Sequence, residues 1–233
     1  MSPSPYAPDG TPLDPRNSLV LWGRPPEHVL RLAACVQAKL KEAAPRTSSH
    51  LSVSMTSSPR LVSGVLSPDV VDLWLMPPRR MHLTLLEIAH SKTPAEISAA
   101  VAPLRPNVRP LVDFTLSHRA RLVRPVVSYD AGGVALSFLP AAGEAVVSPL
   151  PSPAGVRDDL EVVEGDGYTY HHLRRDVEGV LKTAGVGVQA RYQVPSAHIT
   201  LARYLGTEDH ETLEQRRRWV DAVDEVNAWL EGE

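Results

Sequence analysis

Met81-His82-Leu83-Thr84-Leu85 and Ala197-His198-Ile199-Thr200-Leu201 nearly repeat each other, with His198 following His82 by 116 residues. Side chains of a β-strand alternate between its faces. Each segment therefore puts its histidine and threonine on one side and its larger apolar residues on the other. Leu83 and Leu85 anchor the first segment, and Ile199 and Leu201 anchor the second. Two imidazoles and two hydroxyls on polar strand faces are the parts needed to hold a phosphate and move protons around it. The bare His-x-Thr/Ser pattern is weak, because the chain contains two further matches. His210-Glu211-Thr212 carries a charge where an anchor should stand, and it falls in a helical pattern. His50-Leu51-Ser52 keeps the alternation through Val53 but sits in the serine-rich 46–59 stretch, which reads as a loop or edge.

Context separates the pair from these decoys. Working outward, Ser18–Trp22 reads as a short strand, and Pro25-Pro26 opens a helix with Val29, Leu32, Ala33, Val36 and Leu40 at helical spacing. Val70–Leu75 reads as a strand, parted by Pro77-Pro78 from the first His-x-Thr strand at 81–88. Thr93-Pro94-Ala95-Glu96 is a capping box that starts a helix running to about Leu104. Phe114–Leu122 is predicted as a strand, and Val126–Phe138 as a hairpin turning at Asp130–Gly133. A helix from about Tyr170, with Leu173, Val177, Val180 and Leu181 on one face, ends at Gly185. Its adjacent His171 and His172 read as exposed face. Tyr192 and Val194 lead through Pro195 into the second His-x-Thr strand at 197–204. A last helix from about Glu208 turns Leu213, Val220, Val223 and Leu230 inward, with Glu214–Arg218 as its solvated side. The predicted organisation is a Pro-rich arm at 1–17, a two-lobed domain at 18–205, and a C-terminal helix at 206–233 packed on it.

Composition bounds the function. With 233 residues and 43% apolar content, the chain can bury one sizeable core or two small lobes sharing one. The formal charge of −3 gives no global basic field for gripping long nucleic acid. The charge is uneven, however. Nine Lys/Arg face five acids between Arg60 and Arg124, whereas nine acids face Arg216, Arg217 and Arg218 from Glu208 onward. A locally positive middle suits a small phosphorylated ligand as well as it suits a solvated surface. Cys35 is the only cysteine, so no internal disulfide can form. It falls on the apolar stripe of the first helix and reads as core packing. No secretory h-region and no apolar run of membrane-spanning length is visible, so the expectation is a monomer in the cytoplasm or nucleus, away from membranes.

The two motifs, in order and each behind a strand and helix of its own lobe, resemble those of the 2H phosphoesterase superfamily. The Thr200-Leu201-Ala202-Arg203 tail is similar to its 2′-5′ RNA ligase-like branch. The resemblance covers roughly residues 18–205. It implies an α+β fold of two pseudo-symmetric lobes, each an antiparallel sheet with outer helices, around a cleft lined by both motifs. The stretches 46–59 and 140–160 depart from the compact pattern.

The chemistry follows from the residue types. Opening a strained 2′,3′-cyclic phosphate needs water activated on one side and the leaving oxygen protonated on the other. Histidine suits both tasks, which assigns His82 and His198 as acid and base in an order the sequence leaves open. Thr84 and Thr200 are the donors to the phosphoryl oxygens. Tyr204 shares the strand face of His198 and Thr200, and reads either as a contact to phosphate or base, or as a rim residue. Arg203 alternates to the other face and reads as structural. Arg79 and Arg80 read as a solvated surface or as attraction for phosphate. The mechanism requires neither metal nor cofactor, and the nine histidines offer no convincing carboxylate or cysteine cluster for a metal. The expected substrate is a nucleoside 2′,3′-cyclic phosphate or an RNA 3′ end. The alternatives are a 3′-end RNA exonuclease of the same superfamily and a non-catalytic nucleotide- or RNA-binding module.

Overall fold

A computed structural model describes residues 17–43, 73–142, 166–188, 196–206 and 210–232. The strands are β1 (Leu19–Gly23), β2 (Leu73–Leu75), β3 (Leu83–Ala89), β4 (Leu122–Asp130), β5 (Gly133–Pro140) and β6 (Ala197–Tyr204). The helices are α1 (Glu27–Ala43), α2 (Pro94–Val101), α3 (Val108–Ser117), α4 (Tyr170–Thr183) and α5 (Leu213–Gly232). The fold is mixed α+β. Its six strands form an open antiparallel sheet in the order β1-β3-β6-β5-β4, with β2 paired to β6. Pro125, which lacks a ladder donor, is accommodated because β4 is the last strand of that order.

The described residues fall into two compact units. The first holds 17–24, 82–125, 137–142, 166–188 and 196–198. Its core gathers Leu85, Leu86 and Ile88 of β3, Leu104, Leu111 of α3, Tyr170, Leu173, Val177 and Leu181 of α4, and Ala197. Val177 and Leu181 are wholly buried, so truncating Leu181 to alanine would cost about 2–5 kcal/mol. Helix α2 begins as its capping box requires: Glu96 N donates to Thr93 Oγ1 at 3.3 Å, and Thr93 N donates to Glu96 Oε2 at 2.8 Å. It stops at Val101 and continues as a 3-10 stretch over Ala102–Asn107, where Pro103 and Pro106 supply no backbone donors. Helix α4 ends at the left-handed Gly185, whose φ is 79°.

The strand expected at Phe114–Leu122 is instead the end of α3 followed by the start of β4. The local alternation of Phe114, Leu116 and the polar residues between them imitates a strand. Burial follows a three-residue spacing instead, through Leu111, the half-buried Phe114 and Ser117, while Val112 and Leu116 are exposed. His172 is likewise not simply exposed face. It is half-buried, and its Nδ1 accepts from the Thr169 backbone at 3.1 Å, closing the N-terminal cap of α4. His171 is exposed as expected.

The second unit holds 25–43, 73–81, 126–136, 199–206 and 210–232. Helix α1 buries Leu30, Ala33, Val36, Gln37 and Leu40. Gln37 Nε2 donates to the carbonyls of Met76 at 2.9 Å and Leu201 at 2.7 Å, which satisfies a buried amide and ties α1 to β6. Cys35, expected in the core, is exposed because it lies on the flank of α1 that turns away from this stripe. Helix α5 buries Trp219, Ala222, Val223, Val226 and Leu230. Leu213 and Val220, expected to point inward, are exposed, because Trp219 sets the phase of the buried face one residue earlier. Asn227 pins β4 to α5 by accepting from Val127 N at 2.7 Å and donating to Val127 O at 3.1 Å. The β4–β5 turn is where expected, with Asp130 Oδ1 accepting from Gly132 N at 2.7 Å and Gly133 N at 3.1 Å. Gly133 is obligatory there, since a Cβ would run into the carbonyl oxygen of Ala202.

His50, the stretches 46–59 and 143–160, residues 70–72, Tyr192–Pro195 and Glu208 lie outside the described residues.

Candidate functional site

The first motif sits at the entry of β3. Met81 and Leu85 are buried, whereas His82, Thr84 and also the expected anchor Leu83 are only partly exposed, so the expected division between faces is incomplete here. Farther along, strict alternation fails, because Leu85 and Leu86 are both buried and so are Ile88 and Ala89. The pairing with β1 explains this. Leu21 opposes Leu86 while the next residue, Trp22, opposes Thr84, and Val20 opposes Glu87 while Leu19 opposes Ala89. Each shift leaves one β3 residue without an opposite partner, as in a β-bulge.

Two groups brace this part of the unit. The Tyr170 hydroxyl donates to the carbonyl oxygen of Thr84, tying α4 to the middle of the motif. Burial pushes the Tyr170 hydroxyl up to about 12, so it stays a neutral donor through the physiological range. The indole of Trp22 lies flat on the His82 imidazole, with ring centroids 3.8 Å apart and planes 12° from parallel.

The second motif occupies β6, which is the sheet neighbour of β3. Here alternation is strict through the motif: Ala197, Ile199 and Leu201 are buried, and His198 and Thr200 are partly exposed. His198, in the same unit as His82 and Thr84, has its Nδ1 3.0 Å from the Ser196 hydroxyl oxygen, a contact that orients the ring. No family model, curated protein or solved structure matches this chain.

Thr200 and Tyr204 belong to the second unit. Thr200 is partly exposed, two residues beyond His198 and on the same side of β6. The alternation ends after it, where Leu201 and Ala202 are both buried and Arg203 is exposed. Tyr204 pairs with Leu73 of β2, and its ring meets His210 and Trp219 edge-on, with centroids 4.8 Å and 6.0 Å away. Burial among these rings pushes its hydroxyl up to about 12. Arg79 and Arg80, on a 3-10 turn in that unit, are exposed.

The structure thus brings His82, Thr84 and His198 into one unit and adds Trp22 and Ser196, which pattern reading did not single out. The signal for Ser196 was present: in Ser196-Ala197-His198 a period of two puts the hydroxyl and the imidazole on one side. Trp22 gave no such signal, because its placement depends on the register of β1 against β3. Among the described residues, no group of three His, Cys, Asp or Glu side chains is arranged to hold a metal ion. No helix among them is long and apolar enough to cross a membrane.

Proposed function

We propose that this protein is a phosphodiesterase of the 2H type that opens 2′,3′-cyclic phosphates of nucleotides or RNA ends. The observation that carries the reading is the placement of the two His-x-Thr segments at the start of β3 and along its sheet neighbour β6, with both histidines and both threonines partly exposed and Leu85, Ile199 and Leu201 buried behind them. A pair of imidazoles suits the reaction, since one takes a proton from water while the other returns one to the leaving ribose oxygen. Water attacks phosphorus, the P–O bond to one ribose oxygen breaks, and a phosphomonoester with a free hydroxyl results. The hydroxyls of Thr84 and Thr200 donate to the non-bridging oxygens, where charge grows in the transition state. The net charge of −3 supports a short substrate over a long strand.

The test is a turnover assay with mononucleoside 2′,3′-cyclic phosphates beside an oligoribonucleotide ending in a cyclic phosphate. Opening of either supports the reading, and the ratio assigns the preferred length. Stepwise shortening of an oligonucleotide without cyclic-phosphate opening would replace it with an exonuclease. Binding without turnover would replace it with a recognition module.

A further inference from the structure

Trp22 is 62% exposed, which is unusual for the largest apolar side chain on a strand. Its orientation is nevertheless determined. If β1 paired with β3 without interruption, the residue after Leu21 would oppose Leu85, which is buried in the core. The bulge skips Leu85 and sets Trp22 opposite Thr84 instead. Directly opposed residues of an antiparallel pair share a face, so the skip moves the indole from the core side to the side of the motif. There it covers one face of the His82 ring at 3.8 Å.

We infer that Trp22 is a positioning residue for His82. This rests on the phosphodiesterase reading above, in which the His82 ring must present a nitrogen to the reacting group in one orientation. An indole stacked within 12° of parallel opposes tilting of the imidazole out of its plane. Proton transfer then begins from a restricted geometry, which matters because small misplacements of a reacting group cost large factors in rate. The β1–β3 bulge is the structural device that makes this contact.

Two readouts test the inference on the full-length protein. In NMR spectra, the ring C–H signals of His82, assigned by their loss in His82→Gln, should lie upfield under the indole ring current. Trp22→Ala should return them to ordinary positions, and Trp22→Phe should leave them partly displaced. In turnover of cytidine 2′,3′-cyclic phosphate, Trp22→Ala should lower kcat by roughly 10- to 100-fold with KM changed less than about twofold, and Trp22→Phe should restore most of kcat. Undisplaced His82 signals in the wild type would overturn the inference. So would a raised KM at unchanged kcat, which would make Trp22 a platform for the substrate base. A wild type that opens no cyclic phosphate would sink the phosphodiesterase reading alone, while the NMR displacement would still decide whether Trp22 holds His82.

Discussion

The segments entering β3 and opening β6 are nearly the same five residues yet are supported differently. Along β6 the motif stands on unbroken alternation, with Ala197, Ile199 and Leu201 all buried, and its histidine contacts a hydroxyl two residues upstream in its own chain. Along β3 the pattern is interrupted by two register shifts, and the histidine leans on an aromatic ring from another strand. A contact within three residues of sequence therefore bears on His198, whereas the stack on His82 requires a long-range register. The same two-residue signature can be held by a short-range polar contact or by a tertiary stack, and the two should fail differently when disturbed.

The largest effect expected is loss of either histidine. His82→Ala and His198→Ala should each reduce turnover of a 2′,3′-cyclic phosphate by about 10²–10⁴-fold, as for loss of a general acid or base. The double variant should be far less than multiplicatively worse, because the two act as a unit. His50→Ala, the decoy motif, should remain within a few-fold of wild type. An inactive His50→Ala beside an active His82→Ala would remove the basis for comparing the strands.

The threonines come next. Thr84→Val and Thr200→Val keep shape and lose a donor, and each should cost roughly 1–3 kcal/mol of transition-state stabilisation, read from kcat/KM. Thr→Ser should retain most activity at both positions. Valine is readily accepted in strands, so both variants should stay folded. Wild-type kcat/KM in Thr200→Val would show that this hydroxyl does not face the phosphate, and would separate the two motifs in function as well as in support.

The supports should show smaller effects. Ser196→Ala removes the hydroxyl beside His198 Nδ1 and should lower kcat by about two- to tenfold, in line with a hydrogen bond worth about 0.5–1.5 kcal/mol. Its melting temperature should match wild type, because Ser196 is exposed. A drop in stability without a change in kcat would make Ser196 a structural residue and sharpen the contrast with Trp22.

The smallest effect at neutral pH concerns the brace on β3. Tyr170 donates to the Thr84 carbonyl, and burial raises its hydroxyl from the ordinary 10 to about 12. The unfolded chain therefore releases this proton before the folded one does. The stability Tyr170 contributes is fully present below about pH 10 and is lost as pH rises toward 12. Chemical denaturation followed between pH 8 and 11.5 should show a falling midpoint at the alkaline end. Tyr170→Phe should flatten that fall. An unchanged alkaline slope would place the brace outside the groups that set it.

Much of the architecture was legible from local chemistry. The capping box at Thr93–Glu96, the turn at Asp130–Gly133 and the left-handed stop at Gly185 each rest on interactions within a few residues, and each stands where pattern reading put it. The inward and outward sides of β6 were legible for the same reason, since alternation needs no partner strand to be read. Errors arose where packing chose among local options. The segment around Phe114 supports either period and is helical because burial falls on Leu111, Phe114 and Ser117. Trp219 sets the phase of α5 and leaves Leu213 and Val220 outside. Cys35 is exposed because α1 turns a narrower stripe inward than its apolar content suggests. Local pattern thus sufficed to face the side chains of Ala197–Leu201. Tertiary pairing alone put Trp22 on His82 and Tyr170 on Thr84, because a strand register is set by where every partner along both strands finds burial, and no short stretch of sequence contains that information.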